Sequence, residues 1–126
     1  LHAWKDLMGK VQRAGEMDGP CFINVLSPCT RGWRYEPEDT VRISKIAADT
    51  CMWPLYHVEN GEYKLDYKPK EKLPVTEWLK IQGRFSHLLR GDGAKDVLED
   101  IQRQVDREWE RLLWRCGEPK QAAPAH

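Results

Sequence analysis

Pro20-Cys21-Phe22-Ile23-Asn24-Val25-Leu26 runs directly into Ser27-Pro28-Cys29-Thr30-Arg31-Gly32-Trp33-Arg34. The first seven residues are an almost continuous apolar run with β-branched members, the pattern of a strand buried on both faces. Upstream, Trp4, Leu7, Met8 and Val11 recur at spacings of three and four, which predicts a helix from Ala3 to Arg13, with Gly15 as its stop. Downstream, Glu36-Pro37-Glu38-Asp39 supplies the proline and acids that a first helical turn favours, and Val41, Ile43, Ile46, Ala47 and Thr50 continue a helical stripe. Helix, buried strand, loop and helix read as part of a parallel α/β sheet. The loop at 27–34 then falls at the carboxyl end of a strand, where open α/β sheets gather their ligands.

The second half has a different rhythm. Asn60-Gly61 is a strong two-residue hairpin signal. Pairing outward from it sets Val58 opposite Tyr63 and Tyr56 opposite Leu65 on one face, with His57 opposite Lys64 on the other. Lys68-Pro69-Lys70-Glu71-Lys72-Leu73-Pro74 is charged and punctuated by proline, which predicts an extended linker and a boundary. Beyond it, Trp78, Ile81, Phe85 and Leu88 share one helical face, and Leu98, Ile101, Val105, Trp109 and Leu112 share another. Arg90-Gly91-Asp92-Gly93 joins these two predicted helices, and residues 118–126 read as a frayed end. The expected division is therefore an α/β portion over 1–53 and a hairpin, linker and helical arm over 54–126.

With 126 residues, the chain has the length of one ordinary domain. Twenty Lys and Arg balance twenty Asp and Glu, so the general electrostatic pull needed for nucleic acid or anionic lipid is not indicated. No apolar run approaches a membrane span and no signal-peptide pattern opens the chain, so a cytoplasmic setting without a membrane or nucleic-acid partner is expected. Only 40% of the residues are hydrophobic, yet six are Trp, a residue costly to expose and enriched at interfaces. Leu1 stands where an initiator methionine would. A fragment of a longer protein, with surfaces meant for partners, is the expectation.

Cys21, Cys29, Cys51 and Cys116 form no close pair of the kind that closed metal sites use, so the chain is not expected to carry a complete site alone. Gly91-Asp92-Gly93 matches the start of a magnesium-diphosphate motif, but no Asn follows it and the preceding stretch is helical. A helix stop followed by an N-cap explains the tripeptide. Arg103, Arg107, Arg111 and Arg115 recur every fourth residue, interleaved with Glu99, Asp106, Glu108 and Glu110, and read as a solvated, ion-paired face. His57 and His87 have no ligand-like companions, and Cys21, Cys51 and Cys116 read as small hydrophobes or inert thiols. Cys29 differs. It follows a proline in a loop with two arginines, where backbone amides and positive charge favour a thiolate. Metal ligand, reactive thiol and inert loop residue all stay open on local chemistry.

Ser-Pro-Cys-Thr-Arg-Gly-Trp-Arg after a buried strand resembles the β subunit of pyruvate:ferredoxin oxidoreductase and related 2-oxoacid:ferredoxin oxidoreductases. The likeness continues through Trp53-Pro54-Leu55-Tyr56, Glu59-Asn60-Gly61, Tyr67-Lys68-Pro69-Lys70, Pro74-Val75 with Glu77 and Leu79, and Gln82-Gly83-Arg84-Phe85 with His87-Leu88. It spans residues 3 to 115 and covers only the carboxyl-terminal part of that subunit. The resemblance implies a piece of the parallel-sheet domain that binds thiamine diphosphate and Mg²⁺, with Cys29 as one ligand of a four-iron four-sulfur cluster whose other ligands lie upstream. It also implies oxidative decarboxylation of a 2-oxo acid, pyruvate being favoured, with coenzyme A taking the acyl group and ferredoxin the electrons. Other subunits of the complex are the implied partners, and the fragment alone is expected to be inactive and to bind no cofactor completely. Where the family commonly has Pro-Thr between Cys and Gly-Trp, this chain has Thr30-Arg31, which alters the charge beside the cluster. The competing reading is a non-catalytic docking or assembly module that keeps the loop and ligates nothing.

Overall fold

The computed structural model describes residues 3–90 and 94–118. The predicted Gly91-Asp92-Gly93 junction and the end beyond Glu118 lie outside the described residues. Five helices and one antiparallel hairpin follow in the order α1 (Trp4–Glu16), α2 (Thr30–Trp33), α3 (Thr40–Asp49), β1 (Tyr56–Glu59), β2 (Glu62–Leu65), α4 (Val75–Lys80) and α5 (Lys95–Arg115). Short 3-10 turns at Pro37–Asp39 and Gly83–Leu88 precede α3 and follow α4.

The core is helical. Ile43 and Ala47 of α3 meet Val75, Trp78 and Leu79 of α4 and Val105, Trp109, Leu112 and Leu113 of α5, with Tyr35 beside them. Of the apolar faces read from the 3.6-residue period, those of α3 and α5 pack, as do Trp78, Ile81 and Phe85 of the third stripe. The cluster draws on residues either side of position 53, and the 68–74 segment is tied down rather than free. Lys72 pairs with Asp106, Lys68 with Glu118, and the Leu73 amide donates to the Asp49 carbonyl at 3.0 Å. The Val75 amide, an unsatisfied donor at the start of α4, is received by Gln102 Oε1 at 2.7 Å.

The hairpin forms in the predicted register, with Tyr56 opposite Leu65, His57 opposite Lys64 and Val58 opposite Tyr63. Asn60 (φ 52°) and Gly61 (φ 83°) occupy the left-handed conformations that such a two-residue turn requires. Tyr63 and Leu65 pack against the core, and Tyr63 takes a hydrogen bond from Arg115 of α5. On the opposite face Glu59 pairs with Arg13, while Lys10 bridges Asp6 and Asp66, both at 2.9 Å. Those ion pairs hold α1, none of whose residues is buried.

Two expectations are corrected. Pro20 to Leu26 is irregular, and Phe22 is 89% exposed; the one sheet among the described residues is the hairpin, not a parallel sheet. A strand buried on both faces needs neighbours to receive its amides and carbonyls, and no described segment pairs with it. Among the described residues the fold is mixed α/β only in this smaller sense, and it does not confirm the thiamine-diphosphate-type parallel-sheet portion expected over 1–53. The helix predicted through Trp78, Ile81, Phe85 and Leu88 also breaks, at an extended Gln82, into α4 and the 3-10 turn. Gln82 is buried, and its Nε2 donates to the Trp78 carbonyl at 2.9 Å, satisfying an acceptor that the broken helix leaves open. No described helix is long and apolar enough to cross a membrane.

Candidate functional site

The sequence points to Cys29, and the structure gives it a defined local geometry. Cys29 is exposed and extended (φ −116°, ψ 113°) at the N-cap of α2, where its Sγ accepts the Gly32 amide at 3.4 Å. Its carbonyl accepts the Trp33 amide at 2.9 Å, and the Arg34 and Tyr35 amides return to Thr30 at 3.0 and 3.3 Å. Arg34 closes the turn at φ 57°, in the left-handed region. The thiol therefore stands on a tight turn whose backbone is internally bonded.

That turn is fastened to the core at two points. Trp33 packs edge-on against Trp78 of α4, with ring centroids 5.6 Å apart at 81°, and lies tilted 6.4 Å from Tyr35. Behind the turn, the Gly83 amide donates to the Arg34 carbonyl at 2.9 Å. A side chain at Gly83 would bring its Cβ to 2.8 Å from that carbonyl oxygen, so this position accepts only glycine without movement. Arg84 extends over the Trp33 ring, 4.4 Å from its centroid, while its Nε donates to Gln82 Oε1 at 2.8 Å. Local sequence reasoning missed Gly83, Arg84 and Gln82. The available signal was a glycine inside a helical pattern, which marks a helix end or a close backbone approach.

The other cysteines are placed differently. Cys21 is exposed, and its thiol donates to the Ala14 carbonyl at 3.6 Å. Cys51 is buried at φ 58°, and burial pushes its thiol up to about 11. Cys116, at the end of α5, is also raised, first by desolvation and then by the nearby Glu118 and Asp66 charges. Of the four, only Cys21 and Cys29 offer an exposed sulfur. His57 pairs with Asp66 at 2.8 Å. The arginine stripe is largely engaged, Arg103 with Asp100 and Glu99, Arg111 with Glu108, and Arg115 against Tyr63. Asp106, expected to neutralise it, serves Lys72 instead.

An exposed thiol with one N–H···S hydrogen bond suits a single iron–sulfur ligand, because such bonds stabilise charge on the sulfur. Among the described residues no group of three or more His, Cys, Asp or Glu stands close enough to hold a metal. Cys29 fits as one ligand of a shared site.

No protein-family model matches the chain. Curated relatives do. The chain is 50% identical over 108 residues to pyruvate synthase subunit PorB of Thermotoga maritima, a match covering 86% of this chain and 33% of that protein. PorB of Methanocaldococcus jannaschii is 44% identical, with coverage of 86% and 35%. This chain is homologous to part of the PorB subunit. A ketoisovalerate oxidoreductase subunit, VorB of Pyrococcus abyssi, is 38% identical with coverage of 86% and 34%, so the homology extends to that related subunit. The chain spans about a third of the length of these PorB and VorB relatives. A match over 108 of 126 residues necessarily contains Cys29 and the turn that carries it.

Proposed function

We propose that this chain is the portion of a 2-oxoacid:ferredoxin oxidoreductase β subunit that contributes Cys29 to an iron–sulfur cluster. The complex would carry out oxidative decarboxylation of pyruvate, or a closely related 2-oxo acid, to acyl-coenzyme A and CO₂. The observation that carries the reading is the 50% identity to a PorB subunit across a span that includes the Cys29 turn. PorB names at 39–50% identity, against 37–38% for VorB, favour pyruvate over a branched substrate.

The role of this chain's own residues follows from the turn. Cys29 presents an exposed Sγ, the Gly32 amide donates to it, and Trp33 anchors the turn to α4. When bound, the cluster supplies one-electron transfer between the thiamine-dependent chemistry and ferredoxin. The apolar segment 20–26 and the α1 face then belong against parts of the parent subunit. The second half shares its core with α3, and Tyr56, Val58 and Trp114, all substantially exposed, are the side chains it offers to other subunits.

The test is Cys29→Ser in the intact complex, read by iron content and ferredoxin reduction. Iron should fall and reduction should slow at least tenfold. Full iron with normal reduction would overturn the assignment.

A further inference from the structure

We propose that Arg84 is a positioning residue for Cys29. The inference rests on Cys29 being the working residue of its turn, as proposed above, and concerns the side chain that holds the turn in place.

The Arg84 guanidinium carbon lies 4.4 Å from the Trp33 ring centroid and 4.7 Å from that of Phe85, so the cation sits against two aromatic faces. Its orientation is imposed from below. Nε donates to Gln82 Oε1 at 2.8 Å, and Gln82, 1% exposed, is itself bonded to the Trp78 carbonyl. Trp33 is thereby contacted by both Trp78 and Arg84. The Trp33 amide binds the Cys29 carbonyl, and the preceding amide, of Gly32, binds Cys29 Sγ. Displacing the Trp33 backbone therefore disturbs the bond to the Cys29 carbonyl and, one residue back, the amide that binds its thiol.

An aliphatic side chain would cover Trp33 without desolvating a charge. Burial instead lowers the Arg84 pKa, and none of the ion pairs among the described residues supplies it a carboxylate. The faces of Trp33 and Phe85 and the Gln82 side chain are the protein groups that offset this desolvation. Arg84 thus acts through Trp33 rather than by touching Cys29.

The test needs no metal. In the full chain, iodoacetamide modification of Cys29 is measured against Cys21 in the same molecule, with peptide-level amide exchange over residues 29–35. Arg84→Met removes the planar cation and its Nε donor. The Cys29-to-Cys21 rate ratio should change at least threefold and exchange over 29–35 should speed up about tenfold. Arg84→Lys, which restores charge over the ring but not the fork, should fall between Met and Arg. An unchanged ratio with unchanged exchange overturns the proposal. Should Arg84→Met loosen the core, buried Cys51 will also become modified; Arg84→Lys then decides by the same ratio. A changed ratio beside an iron-replete Cys29→Ser enzyme refutes the ligand role alone, and an unchanged ratio beside an iron-depleted one refutes the Arg84 role alone.

Discussion

Gly83→Ala tests how the Cys29 turn is fastened to the core. A Cβ at Gly83 would lie 2.8 Å from the Arg34 carbonyl oxygen and 3.0 Å from the Arg34 Cβ. Neither atom can rotate away, since both are fixed to the backbone. Reaching the 3.4 Å of ordinary contact from 2.8 Å requires the two segments to separate by about 0.6 Å. That movement also stretches the Gly83 amide bond to Arg34, now 2.9 Å. Overpacking of this kind costs about 1–3 kcal/mol and a weakened backbone hydrogen bond about 1 kcal/mol more. The sum is a large fraction of the roughly 5–15 kcal/mol by which domains are stable. With a urea slope of about 2 kcal/mol/M, the unfolding midpoint should drop by about 1–2 M. Urea titration followed by tryptophan fluorescence and far-UV circular dichroism reads this directly. Gly9→Ala and Gly15→Ala are the controls: both glycines lie in α1 with nothing within 4 Å of an added Cβ, so alanine should be neutral or stabilising by up to about 1 kcal/mol. A Gly83→Ala midpoint equal to the controls would refute the close-approach argument.

The remaining expectations concern pH and local opening. Cys51 has its pKa raised from 9.0 to about 11, so the folded state keeps a proton that the unfolded chain releases; stability is complete below pH 9 and falls as pH rises toward 11. Each unit is worth about 1.4 kcal/mol, so the loss is about 2–3 kcal/mol, and Cys51→Ala should flatten the urea-midpoint profile over that window. A profile identical in both proteins would exclude Cys51 as its source. Tyr67, raised to about 12 by its hydrogen bond to Asp49 and then by burial, adds a later decline above pH 10 that Tyr67→Phe should remove. Because no residue of α1 is buried and ion pairs to the hairpin hold it, its amides should exchange orders of magnitude faster than those around Val105 and Trp109 in α5. Equal protection of the two helices would contradict that arrangement.

The sequence by itself determined the elements whose information is local. Asn60-Gly61 specified both the turn and the register, because only left-handed conformations close a two-residue hairpin and side chains then alternate strictly. The 3.6-residue stripes located the buried faces of α3 and α5, and the Pro-Cys turn singled out Cys29. Tertiary structure decided the rest. The 20–26 run has the composition of a strand, yet a strand exists only with partners for its amides, and no described segment pairs with it. The stripe from Trp78 to Leu88 has helical spacing, yet it breaks at Gln82 because the Gly83 amide is needed by the Arg34 carbonyl. Positions 34 and 83 lie far apart in the chain, and no periodicity in either segment encodes their meeting. The Arg84 contact with Trp33 has the same origin: a local pattern names the residue proposed as a cluster ligand, while its orientation depends on contacts between distant parts of the chain.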